Sequence, residues 1–181
     1  MNKGKILISN FTLLNDNQFN KSVILIVKDD SEATIGFILN KKTNYLISDL
    51  NESCVGLDLP VYEGGPVGLD SLHFVHKKNN LIDGSIKISD DLCWGIDFNG
   101  IIKLLKKNKI KKDDIKFFIG YSGWGKNQLS DELNENSWLI SSKFSSKDIF
   151  TTSQSFWKKK ISEFGEYYKI WSNSPDNPNL N

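Results

Sequence analysis

Apolar residues fall into short runs along this chain, separated by polar stretches and glycine-rich corners. "KILISN" (residues 5–10) has a strand pattern, and a polar, irregular segment follows at 11–21. "SVILIVKDD" then carries five consecutive apolar residues at 23–27, rich in β-branched side chains. That pattern predicts a central strand buried on both faces. Across a short acidic turn, "ATIGFILNK" is its antiparallel hairpin partner, with Gly36 marking a bulge or a close backbone approach. "ISDLNESC" predicts a short helix capped by Ser48. "LPVYEGGPVG" predicts a strand that ends in a Gly64-Gly65-Pro66 turn. "SLHFVHK" alternates, with Leu72, Phe74 and His76 on one face and His73 and Val75 on the other. "GSIKISDD" alternates too.

In "DFNGIIKLLKKNK", Ile101, Ile102, Leu104 and Leu105 form one apolar helix face, with Asp97 or Asn99 as the cap. "IKFFI" (115–119) is the second strongly apolar strand, running into a glycine-rich turn at 120–125. "KNQLSDELNE" predicts a helix and "SWLIS" a strand. Residues 153–171 predict a helix broken near Gly165, and 172–181 an irregular Pro- and Asn-rich tail. Strands and helices mix without strict alternation, so the fold class expected is α+β, in a single domain spanning 1–181.

Composition narrows the setting. The 181 residues are 39% hydrophobic, enough for a core without disulfide or metal staples. No apolar run approaches the roughly 18 residues that cross a bilayer, and "MNKGKILISNF" is no signal sequence, so no membrane partner and a cytoplasmic location are expected. Cys54 and Cys93 fit a reducing compartment and have no metal-ligand spacing. The net charge is +1, and all 23 basic residues are lysine. Without arginine the chain lacks the usual forked reader of guanine and phosphate, which counts against sequence-specific nucleic-acid recognition. The six lysines within 103–112, and the cluster at 158–160, read as solvated helix faces.

Two near-miss motifs share one stretch, "FFIGYSGWGKNQLSDEL". Gly120, Gly125 and Lys126 have phosphate-loop spacing, but Asn127 stands where Ser or Thr would hold Mg²⁺, and Tyr121 and Trp124 crowd the loop. A polar or anionic ligand at this turn does not need the full motif. Gly120-Tyr121-Ser122 also begins a nucleophile elbow, but Trp124 replaces its last glycine. His73 and His76 project to opposite strand faces, so at most one could serve Ser122, and they build no metal site. Tyr121 and Trp124, in a turn expected at the surface, either plug it onto the body or line a binding surface.

Four segments, in order along nearly the whole chain, resemble the bacterial AlgH/YqgE family. They are "ILISN" with Phe19, Ser22, Val23 and "GFILN" ending at Asn40; "VYEGGPV" with His76 beyond it; "FIGYSGWGKNQLSDEL" followed by "NSWLI"; and the tail "SPDNPNLN". The resemblance implies a mixed, partly barrel-like sheet flanked by helices, and a signature turn at 120–125 rather than a phosphate loop. It brings no enzymatic activity or cofactor, and only a transcriptional-regulator label for some members. This chain has Lys28-Asp29 where the family often has Glu-His, and Asn127-Gln128-Leu129-Ser130 where it favours Gly-Gln-Leu-Glu.

The function expected is a non-enzymatic cytoplasmic binding or regulatory protein, with no cofactor and no metal. Its candidate ligand surface comprises Asn40, Gly64, Gly65, Pro66, Tyr121, Ser122, Gly123, Trp124 and Gln128. The alternative is an enzyme on a small polar substrate, using Ser122, His76, Glu63 or Asp70. The binding surface requires the two glycine-rich corners to meet in space.

Overall fold

The computed structural model describes residues 1–78, 80–151, 153 and 155–173. The tail signature at 174–181 lies outside the described residues. The α+β expectation holds: the strands form one curled, half-barrel sheet with helices packed around it.

The leading strands are β1 (Ile6–Ser9), β2 (Val23–Asp29) and β3 (Ala33–Ile38). Residues 23–27 of β2 are fully buried, as expected of a strand covered on both faces. β2 and β3 form the antiparallel hairpin, whose register shifts between Ile26 and Lys28. Gly36 lies opposite Ile26, and a Cβ there would stand 2.5 Å from the Ile24 side chain.

β4 (Lys42–Leu46) is a polar strand with no apolar run to announce it. Helix α1 (Ile47–Leu50) is capped two residues before the expected Ser48: Leu46 is the capping residue, and the Asp49 carboxylate accepts its N–H at 2.7 Å. Asp49 supplies the acceptor from inside the helix, so no Ser48 hydroxyl is needed.

β5 (Pro60–Glu63), β6 (Val67–Lys77), β7 (Ile86–Lys87) and β8 (Leu92–Gly95) precede α2 (Phe98–Lys106), whose Asp97 cap accepts from Gly100 N–H at 2.8 Å. β9 (Ile115–Gly125), α3 (Gln128–Asn134) and β10 (Trp138–Ser141) follow. The chain closes with α4 (Ser146–Phe150), α5 (Phe156–Ser162) and α6 (Glu166–Trp171), the last two separated at Gly165 (φ +122°). No helix among the described residues is long and apolar enough to cross a membrane.

The strand order is β10-β1-β2-β3-β9-β6-β8-β7. β5 joins β9 in parallel on the same side as β3, and β4 joins β5. β9 is therefore the spine. Its first half pairs with β5, its second half with β3, and β6 runs along its other side. One core, including Val75, Phe37, Phe118, Trp157 and Ile161, lies between one face of the sheet and α4 and α5. A second, with Phe74, Phe117, Ile101 and Leu105, lies under α2. A third joins Trp124 and Trp138 to Leu129 of α3. Cys54 and Cys93 are free and buried.

Two further expectations need correction. Residues 120–125 are not a surface turn but the second half of β9, paired with β3 from Gly36↔Ser122 to Ala33↔Gly125. Ladder pairing satisfies more backbone groups than an open loop would, and Gly120 (φ +65°) lets the strand bend and continue. Lys160, expected on a solvated face, is 3% exposed; it donates to the Lys143 carbonyl at 2.6 Å and to Glu163 at 2.9 Å.

Candidate functional site

The hand-over on β9, from β5 to β3, happens at Gly120, and the Gly64-Gly65 corner sits against it. Gly64 N–H donates to Ile119 O at 2.8 Å, while Gly64 O accepts from Ile38 N–H and from Ser122 Oγ, both at 3.0 Å. One residue thus ties together β3, β5 and β9. Side chains are excluded here. A Cβ on Gly64 would stand 2.0 Å from Gly120 O, and one on Gly65 2.4 Å from Ser122 N and Oγ.

The two glycine corners therefore meet, but most of the residues there face one another. Ser122 is fully buried and spends its hydroxyl on Gly64 O. Asn40 is buried, accepting from Val23 N–H and donating to Lys21 O, both at 2.8 Å. Trp124 is buried, and its indole donates to Glu132 at 2.9 Å, beside Trp138, which donates to the same oxygen at 2.7 Å. Gln128 is exposed but ties Gly125 N–H to Glu132. Pro66 and Gly123 are exposed, and Tyr121 is half-buried.

Tyr121 opens the seam onto a different neighbourhood. Its ring lies across the Gly68 and Gly123 backbones and meets His73 edge-on, centroids 6.0 Å apart. Phe37 and Trp94 stand 5.2 and 5.9 Å from the same imidazole. Ser71 Oγ is 3.2 Å from His73 Nε2. His73 Nδ1 has no hydrogen-bond partner among the described residues. Burial pushes the His73 pKa below its ordinary value, so the ring is neutral near pH 7. Beside it a β6 bulge presents Val67 and Leu69, which are 39% and 62% exposed. Sequence reasoning assigned His73 a face but no companions, because Ser71, Trp94 and Phe37 come from three different strands. The bulge signal was Gly68 inside a strand.

His76 is occupied elsewhere. It is buried, with Nδ1 2.7 Å from the Lys77 carbonyl and Nε2 2.8 Å from Ser85 Oγ. A carbonyl only accepts, so Nδ1 carries the proton and Ser85 donates to Nε2. Among the described residues, no side-chain hydrogen bond joins any two of Ser122, His76, Glu63 and Asp70. Nor do any three His, Cys, Asp or Glu side chains converge as a metal requires.

The phosphate-loop candidate is likewise absorbed. Residues 122–125 pair with β3, Gly125 N–H donates to the Gln128 side chain, and Lys126 and Asn127 line a polar recess of about 200 Å³ with Asp29, Asp30 and Thr34. Two carboxylates beside one ammonium give an anion no net attraction there.

Such an arrangement, a curled half-barrel sheet whose spine strand is pinned by a Gly-Gly corner, defines a class of α+β protein. The AlgH-like family model, DUF179, matches residues 6–169, and the chain belongs to that family. A UPF0301 protein of Cytophaga hutchinsonii is 38% identical over 183 residues, covering all of both chains. One from Chlorobium limicola is 35% identical over 179 residues, covering 98% of this chain and 95% of its own. Among solved structures, the crystal structure of DIP2367 from Corynebacterium diphtheriae superimposes with a TM-score of 0.77, covering 96% of this chain and 93% of that one. The solution structure of the AlgH protein from Pseudomonas aeruginosa gives 0.74, covering 96% and 94%. Both are 18% identical to this chain, so they share its fold and lend it no activity.

Proposed function

We propose that this is a non-enzymatic binding or regulatory protein whose ligand surface is the exposed part of the seam: Pro66, Tyr121 and Gly123, extended by Val67, Leu69, Ser71 and His73. In this reading Asn40, Gly64, Gly65, Ser122 and Trp124 frame the surface, and Gln128 braces its far end. The observation that carries it is the half-buried His73 imidazole, walled by three aromatic rings, whose Nδ1 has no hydrogen-bond partner among the described residues. Rings offer stacking area at little entropic cost; because Ser71 Oγ donates to the Gly68 carbonyl, His73 Nε2–H donates to Ser71, and Nδ1 of the neutral ring can accept from a small polar donor. The separation of Ser122, His76, Glu63 and Asp70 supports binding over turnover, since a reaction needs converging groups. A net charge of +1 gives no field for polyanions.

The test is a thermal-shift screen of small polar metabolites, repeated on Tyr121→Leu and His73→Asn. A compound used at about 100 times its Kd stabilises the native state by about 2.7 kcal/mol. The expected hit shifts the wild type and neither variant. A hit that shifts all three alike places the ligand elsewhere and overturns this assignment.

A further inference from the structure

His76 does meet a serine in this fold, though not Ser122. The chain turns back after β6 and sets Ser85, which directly precedes β7, against the buried His76 ring, with Ser85 Oγ 2.8 Å from Nε2. Because Nδ1–H donates to the Lys77 carbonyl, Nε2 is the accepting nitrogen and the Ser85 hydroxyl donates to it. That fixes the tautomer a general base needs, with a backbone carbonyl in the place a carboxylate takes in a catalytic triad. Ser85 Oγ has no other partner among the described residues. His76 is 1% exposed while Ser85 is half-buried, so the base is shielded from water and its serine still reaches solvent. The approach is open: Asp83 and Gly84 are exposed, and a Cβ on Gly84 would meet nothing within 4 Å. The Gly84 and Ser85 N–H groups have no hydrogen-bond partner among the described residues, which leaves two backbone donors beside the hydroxyl. This pair lies across β6 from His73 and apart from the seam.

We propose that Ser85 is an acyl-accepting nucleophile, with His76 as its general base, for activated acyl groups carried as esters or thioesters. Ser85 Oγ attacks the acyl carbon as its proton passes to His76 Nε2, and the carbonyl π pair moves to oxygen. The Gly84 and Ser85 N–H groups are the nearest donors for that oxyanion. When the π pair returns, the alkoxide or thiolate leaves and takes the proton from Nε2, so the imidazole is neutral again and Ser85 carries an ester. Nothing is oxidised or reduced. Burial holds the His76 pKa below its ordinary value, so the ring is neutral and able to accept near pH 7. A base placed in this way contributes roughly 100-fold to 10,000-fold to such a step. The acyl group stays on the protein, so the step is a modification of Ser85 and stands beside the binding role of the seam.

The experiment treats the full-length protein with p-nitrophenyl acetate over a series of pH values and follows acetylation of Ser85 by peptide mass spectrometry, with exposed Ser130 as the reference hydroxyl. Ser85 should acetylate at least about 100-fold faster than Ser130. Its rate should rise with pH through a pKa below 6.5 and then level off, as a neutral imidazole base requires, while Ser130 goes on rising with hydroxide. His76→Gln, its fold checked by circular dichroism, should slow Ser85 at least about 10-fold and leave Ser130 unchanged. Labelling of Ser85 no faster than Ser130 overturns the proposal. So does an undiminished rate in folded His76→Gln. A Ser85 rate that climbs with pH and never levels also overturns it, because hydroxide and not His76 would then take the proton; that reading needs only the wild type and decides the matter if His76→Gln does not fold.

Discussion

Lys116, in the first half of β9 and 3% exposed, makes stability depend on pH in a direction that can be worked out. Its folded-state pKa is about 7, against 10.5 for an unburied lysine, because burial penalises the charged form. Between those values the unfolded chain holds a proton that the folded chain has shed. Stability therefore rises with pH in that window, and the cost is fully present below about 7. The slope reaches roughly 1.4 kcal/mol per pH unit, and integration from pH 7 to pH 9 gives about 2 kcal/mol. The Tyr62 face opposes this by attracting the cation, so about 2 kcal/mol is the upper end. For a chain of this size that corresponds to roughly 4–8 °C in Tm. Other groups titrate in the same range, so the measured quantity is a difference. Urea melts of wild type and Lys116→Met at pH 7, 8 and 9 should show the variant's relative stability falling by about 2 kcal/mol as pH rises. A difference that stays flat across the series means the folded protein keeps Lys116 charged, which would refute the reasoning.

Other parts of the structure make independent predictions. Gly64→Ala, whose Cβ would collide with Gly120 O, should cost about 3 kcal/mol or more by chemical denaturation. Gly56→Ala, at φ +84° with nothing within 4 Å, should cost about 1 kcal/mol; equal costs would mean that close packing at the seam is not the reason for glycine. Glu132→Ala strands the indole N–H groups of Trp124 and Trp138 and should cost roughly 2–4 kcal/mol, with a change in tryptophan emission; an unchanged melting curve would contradict the shared acceptor. The His76 pKa is lowered by burial, against the pull of the Lys77 carbonyl. Stability from this ring is therefore present above about pH 6.5 and lost as pH falls through the lower folded-state value. The acid limb of the stability curve should be shallower in His76→Gln, and an equally steep limb would remove His76 as its cause.

What the sequence made legible was whatever depends on local pattern. Residues 23–27 had no polar position to show water, so both faces had to be covered, and they are. Gly36 announced a close approach that the Ile24 side chain explains. β4 was illegible because its side chains are mostly solvated and its pairing rests on a distant partner, β5. The meeting of Gly64 with Gly120 was legible as a requirement, but its purpose was not. Glycine permits close approach by a ligand or by another strand equally well, and only the Gly64–Ile119 and Gly64–Ser122 hydrogen bonds distinguish the two.

Reading 120–125 as a turn led to expecting Trp124 near the surface. As a strand the same residues alternate, which sends Ser122 and Trp124 inward and leaves Gly123 exposed. The same logic applies to Lys116 and shows what signal could have found it. A strand apolar on both faces has no solvent side, so a lysine inside it must be buried whichever way it points. The chain then has to supply an acceptor, a ring face or a lowered pKa. Here it supplies all three, and a surface lysine would have required none of them.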